Sequence, residues 1–440
     1  MIEQLFALVR RSPGAGGADC LWRQSERMTV TFESGRLKAT GITQEAGVNL
    51  RVVSDGRVGI VGSTAIDGAP ADLVARALAS AELGESLGLA FPPGAPLPRV
   101  PTSFERAANA PLEALIAIGR ELVERLAREG CQVNVTVERE IAATRVANTV
   151  GADATYQSTG VGISAEVWRI AGNDVLAIGD SFEGADLPTP KALSALVASV
   201  QSRLDLALTV VASPEGSLPV VFTPAGLSAL FLPVTQALSG KAVLQGISPL
   251  AGKLGEQVFD PAFTLADDPL TPGRSASRPI DDECVPSRVT PLVERGVVKQ
   301  FMYDLETATR AGAASTGNGQ RGIFSKPVPG YTNIVVGDGG RGTGDGLGGG
   351  LIADIKDGLL VDDLIGVGQG NVIGGAFSHP VALAYRIERG EITGRVKDAA
   401  IAGNSYELLK HIGGFGNDRR WYGARSTPSL LLEGVSVAGR

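Results

Sequence analysis

One stretch limits the possible folds more than any other. Residues Val48–Ser63 (VNLRVVSDGRVGIVGS) are two β-branched runs around Asp55-Gly56. Asp-Gly tolerates positive φ at both central positions of a two-residue turn, the geometry that suits the right-handed twist of the flanking strands. The N-terminal part must therefore build an antiparallel sheet. Helices are interleaved with it. Ile2, Leu5, Phe6 and Val9 fall at helical spacing over residues 2–11. The pattern predicts further helices over Pro70–Leu87, Leu112–Glu129 and Pro190–Leu204, the last with Thr189 as N-cap. Gln132–Asn148 and Ala154–Ile170 read as extended, and residues 88–102 as a Pro-rich connector. Helices alternating with hairpins rather than with single parallel strands give an α+β fold.

The second half changes character. Leu218–Phe222 predicts a strand and Ala225–Leu238 a helix, followed by short strands and Gly-rich turns up to a last strand over Ser429–Val437. Two hairpin tips, Val293-Glu294-Arg295-Gly296 and Ile387-Glu388-Arg389-Gly390, echo each other, and Gly337–Gly350 reads as a low-complexity loop. The expectation is an N-terminal α+β domain over 1–205 with antiparallel hairpins and helices. A C-terminal, mainly antiparallel β domain would cover 206–440. The 440-residue length suits two or three domains.

Composition removes several function classes. With 40 Lys plus Arg against 47 Asp plus Glu, the net charge is −7. A general nucleic-acid binder needs a basic face to neutralise phosphates, so no nucleic-acid partner is expected. Cys20, Cys131 and Cys284 are sparse and odd in number, which points to a reducing compartment. Met1–Ser12 mixes charge with apolar residues, unlike a signal peptide, and no run of about 18 apolar residues exists. The expected location is cytoplasmic, with no membrane contact.

Chemistry-bearing motifs are few. The two histidines, His379 and His411, are 32 positions apart and outside any helical zinc frame; His379 is expected in a loop before Pro380. Neighbouring Ser378 and His379 point to opposite sides of an extended chain, so they form no dyad. Cys284, beside Glu283, sits where acidity raises a thiol pKa. Gly337–Gly342 matches G-x-G-x-x-G, but more glycines follow where a phosphate-holding helix would begin. Three acidic clusters remain: Asp267-Asp268, Asp281-Asp282-Glu283 and Asp362-Asp363. They could converge on a divalent cation or act as acid and base; Asp-rich steps are also ordinary turn and cap chemistry.

An ordered set of segments resembles a known family. Leu254–Val258 (LGEQV) is followed by Asp267-Asp268-Pro269, Ile280–Glu283, Thr316–Gly319 (TGNG), Gly366–Asn371 (GVGQGN), Ile401–Asn404 and Gly416–Asp418. Together with Phe32–Lys38 and Val48–Gly59, these resemble the TldD/PmbA family, the modulators of DNA gyrase. The resemblance implies a metallopeptidase complex. TldD-type subunits carry H-E-x-x-x-H on a helix before Gly-Glu-Gln-Val, and a C-terminal Cys, to hold zinc. PmbA-type subunits lack these ligands and pair with the TldD type to cleave unfolded peptides.

Counting back from Gly255 puts Phe231 at the first His, Leu232 at the general-base Glu and Gln236 at the second His. No cysteine follows Cys284, which stands where the family pattern suggests Gly. By this resemblance the chain is of the PmbA type, with no catalytic residue and no metal or cofactor of its own. Zinc is expected in a TldD-type partner. Gly366, Gly368, Gly370, Asn371, Gly374 and Gly375 are the candidate substrate contacts, because glycines allow close backbone approach; they could equally serve only as turns. Two alternatives stay open: a non-enzymatic homodimer that binds peptide or protein, and a hydrolase built on the acidic clusters.

Overall fold

The computed structural model describes residues 1–65, 68–337 and 346–439. Helix α1 (Ile2–Arg11) leads into a six-stranded sheet. Its strands are β1 (Ala15–Glu33), β2 (Arg36–Ser54), β3 (Arg57–Ser63), β4 (Cys131–Asn148), β5 (Asp153–Ala171) and β6 (Asp174–Gly184), in the order β3-β2-β1-β4-β5-β6. Every pairing is antiparallel. The β2–β3 turn takes φ +48° at Asp55 and +73° at Gly56, as the Asp-Gly pair requires.

Alternation along β1 sorts the two faces. Ala18 and Cys20 pack with α1 and α2 (Pro70–Glu82). Val30 and Phe32 meet α4 (Leu112–Leu126), which follows the one-turn α3 (Glu105–Ala108), and the same core includes α5 (Pro190–Ala207). Asp19 and Leu21 point the opposite way, and Leu21 packs on Ile280 and Cys284. Helix α2 stops at Glu82, short of the expected Leu87. The cause is Gly84: a Cβ there would lie 2.2 Å from the Val58 carbonyl, so the chain must turn against β3. Helix α4 ends at Leu126, where Ala127 turns extended. Thr189 caps α5 by accepting from Ala192 N at 3.2 Å.

The C-terminal half is β-rich and mixes strand directions. Strands Gly216–Phe222, Leu430–Ala438, Ala400–Asn404, Ala376–Glu388 and Asp357–Leu364 pair in that order, and the last closes back on the first. The result is a small five-stranded barrel. The pairing of Asp357–Leu364 with Gly216–Phe222 is parallel, and the other four are antiparallel. Alternation again splits the strands. Val220, Phe222, Leu359 and Val361 share a core with helix α6 (Ser228–Ala237), whereas Val221, Leu360, Tyr385 and Ile387 join the core of α5. Both echoed hairpin tips use positive φ, at Arg295-Gly296 and Arg389-Gly390.

Residues 338–345, most of the Gly337–Gly350 loop and of its G-x-G-x-x-G stretch, lie outside the described residues. No helix of the described residues is long and apolar enough to cross a membrane.

Candidate functional site

Helix α6 carries the three positions expected to have lost zinc chemistry, and they face different surroundings. Phe231 is 1% exposed. Its ring lies 6.0 Å from that of Phe263, with the Arg425 guanidinium 5.6 Å above it. Leu232 is half-buried and Gln236 is exposed. A zinc ion at this helix would meet an aromatic ring, an aliphatic chain and one neutral amide, which do not fit a zinc site. Among the described residues, no group of three or more His, Cys, Asp or Glu side chains could hold a metal ion.

The Gly-rich segment lies against this helix. It links the Asp357–Leu364 and Ala376–Glu388 strands through a 3-10 turn, Val372–Gly374, that packs on α6. Gly366, Gly368, Gly370 and Gly375 take φ of +77°, +93°, +77° and +79°. A Cβ on Gly368 would sit 3.6 Å from the Leu232 side chain, so two of the expected site positions are neighbours. Gly375 is constrained more tightly: a Cβ there would come within 2.5 Å of the Tyr406 ring. The Tyr406 hydroxyl lies 2.8 Å from Ile373 O and 3.1 Å from Pro233 O, pinning the turn to the helix. The Asn404 amide adds a bond to Gly374 O at 3.3 Å. Gly368, Gly370, Asn371 and Gly374 remain exposed.

His379 is not in a loop. It lies within the Ala376–Glu388 strand, its ring parallel to that of Phe377 at 5.9 Å. Pro380 is tolerated because the strand changes partner there, from Ala400–Asn404 to Asp357–Leu364. His411 is exposed just beyond a one-turn helix, Ser405–Leu408.

The acidic clusters are occupied by protein donors. Asp267 accepts from Thr332 N at 2.6 Å and from the Asn318 amide at 2.7 Å; burial pushes its carboxyl up to about 6. Asp268 caps Leu270 N. Asp281 accepts from the backbone of Glu283, Val285 and Gly319, and burial likewise pushes it up to about 6. Asp282 accepts from Arg321 N. Asn318 and Gly319 thus join the first two clusters. Asp362 lies apart, held by Arg203 at 2.6 Å and by the Thr223 hydroxyl, and Asp363 bonds Leu364 N.

Sequence reasoning missed what Glu283 does. Arg51, fully buried on β2, binds Asp19 at 2.5 Å and Glu283 at 2.6 Å. Arg321 adds a second cation to Asp19 at 2.8 Å. Glu283 also caps the Leu305 backbone N–H at 2.7 Å. Burial would raise Asp19, but Arg321 and Arg51 hold it below the usual carboxylate range. Burial pushes Glu283 up against the pull of Arg51. This lattice ties the N-terminal sheet to the C-terminal loops. Its one sequence signal is a lone arginine inside the apolar run VNLRVVS. Cys284, next to it, has φ +67°, the left-handed conformation that favours glycine. Burial, then the nearby Asp19 charge, pushes its thiol up, away from nucleophilic use.

Comparison with known proteins places these features. The PmbA/TldA metallopeptidase C-terminal domain matches residues 215–439, and domain 1 of the same metallopeptidases matches residues 18–81. A metalloprotease of Methanothermobacter thermautotrophicus is 28% identical over 428 residues, covering 92% of this chain and 88% of that protein. A metalloprotease TldD homolog of Haemophilus influenzae is 36% identical over 208 residues, but the match spans only 47% of this chain and 42% of that protein. The crystal structure of TldE from Thermococcus kodakarensis superposes with a TM-score of 0.89 at 25% identity, over 100% of both chains. The chain belongs to the TldD/PmbA metallopeptidase family.

Proposed function

We propose that this chain is the zinc-free subunit of a TldD/PmbA-type metallopeptidase complex. One observation carries the reading: helix α6 presents Phe231, Leu232 and Gln236 where zinc chemistry would require His, Glu and His, and Phe231 is built into the core. The metal and its base then come from a TldD-type chain, and this chain completes the chamber that holds an unfolded peptide. The likeness to TldE over the full chain supports the same reading. In this role Gly366–Gly375 is the peptide-facing wall. Exposed Gly368 beside Leu232, with exposed Gly370 and Gly374, lets an extended backbone approach closely, whereas Gly375 is buried under Tyr406.

The test mixes the purified chain with a TldD-type protein and follows hydrolysis of casein-derived peptides. Activity is expected only in the mixture. A partner that co-purifies with this chain yet gains no activity from it would refute the assignment.

A further inference from the structure

A cavity of about 510 Å³ lies where the loop-facing side of the N-terminal sheet meets the C-terminal loops. Strand β1 lends it Arg23, β5 lends it Tyr156 and Ser158, and the facing loops lend it Arg278 and Arg321. Three arginines thus line it against one carboxylate, that of Asp282.

Arg278 is the anomaly of this wall. Its side chain is only 10% exposed. Among the described residues its acceptors are Gly319 O at 3.4 Å and Asp282 at 3.6 Å, and its Nε has none. Arg51 and Arg203, also buried, each hold a carboxylate at 2.6 Å. Arg321 is served on one side only: Nη1 binds Asp19, whereas Nε and Nη2 are buried without an acceptor. A buried N–H that makes no bond keeps its full desolvation cost, and native folds seldom leave several together. The nearby acids face other donors. Asp281 accepts from three backbone N–H groups, and Asp282 accepts from Arg321 N at 2.9 Å. Arg23 is half exposed, and its partner Glu140 is held by Arg27 as well.

We propose that this cavity is a carboxylate-binding site, in which Arg278 and Arg23 take the free carboxylate of an unfolded peptide, from its C-terminus or from an Asp or Glu side chain. A planar carboxylate matches the guanidinium fork, and the Tyr156 and Ser158 hydroxyls add donors. Asp282 in the lining disfavours a doubly charged phosphate. Arg23 and Arg321 also line an adjoining cavity of about 790 Å³ beside exposed Phe324, which leaves room for the rest of the peptide. That the carboxylate belongs to a peptide rests on the peptidase reading above; the unmet donors do not.

The test titrates the full chain, with no partner, by calorimetry. Acetyl-Ala-Ala-Ala with a free C-terminus and acetyl-Ala-Glu-Ala amide carry one carboxylate each, and acetyl-Ala-Ala-Ala amide carries none. At least one of the two acids is expected to bind, and which one does identifies the source of the carboxylate. The neutral amide should bind at least about tenfold more weakly. Arg278→Lys keeps the charge without the fork, and Arg23→Ala changes a half-exposed position that folding tolerates; each should weaken binding by about tenfold or more. No binding of either acid overturns the proposal. So does a neutral amide that binds as tightly as the acids, or acid binding that neither variant weakens. Inorganic phosphate bound more tightly than both acids would give the site to phosphate and equally overturn it. Because no hydrolysis is read, peptidase activity in the mixture with a TldD-type protein, without carboxylate binding here, would sink this proposal and leave the subunit assignment standing.

Discussion

The lattice around Arg51 and the surface formed by α6 with the Gly-rich turn are opposites. The first is dense in ionisable groups and buried: Asp19 and Glu283 bind the Arg51 guanidinium, and Arg321 adds a second cation to Asp19. In the reading proposed above, the second stands where a zinc peptidase would concentrate charge, and it offers Phe231, Leu232, Gln236 and glycines. Density of acidic residues therefore does not locate function in this chain. A structural position can be read from the ion pairs that hold its charges.

Arg51→Met breaks that contrast most severely. It leaves Asp19 and Glu283 buried with one cation fewer, which should cost about 3–5 kcal/mol in urea unfolding. A loss below about 1 kcal/mol would mean that the lattice does not hold the two halves together.

On the other side, Phe231→Ala should cost about 3–5 kcal/mol by opening the aromatic core. Gln236→Ala, on an exposed position of the same helix, should stay within about 0.5 kcal/mol. Equal effects would mean that Phe231 is not a core residue.

Asp267 sharpens the comparison because its hydrogen-bond partners are neutral, unlike those of Asp19. Its folded carboxyl is raised to about 6. The folded state therefore keeps this proton to higher pH than the unfolded chain. The resulting stability is present below about pH 4 and is lost as pH rises through 6, amounting to about 2–3 kcal/mol. An NMR titration of the Asp267 carboxyl carbon should show a midpoint near 6; a midpoint near 4 would contradict the burial argument.

The smallest effect separates turn from contact. Gly375→Ala meets both positive φ and the Tyr406 ring and should cost about 2 kcal/mol, whereas Gly370→Ala, with open space, should cost about 1 kcal/mol. If Gly370→Ala costs no more than this in stability yet lowers peptide hydrolysis by the fully folded complex, the turn contributes to substrate contact as well as to geometry.

Much of the fold was legible because it is local. Asp55-Gly56 set the β2–β3 hairpin, and Thr189 set the start of α5. The barrel was not legible. Its closure depends on Asp357–Leu364 meeting Gly216–Phe222 in parallel across more than a hundred residues, and no turn signal encodes that. For the site, motif order proposes Phe231, Leu232 and Gln236, but it does not give their different burial. Nothing local says that Phe231 turns inward while Gln236 faces out. Arg51 went unread because a salt bridge to Glu283 spans 232 positions.

The zinc content of the purified full-length chain, by elemental analysis after dialysis against zinc, tests the central claim most directly. The account predicts trace zinc far below one ion per chain, unchanged by Gln236→Ala. One zinc per chain, lost when His379 or His411 is replaced, would contradict it and would make this chain a metal-bearing subunit in its own right.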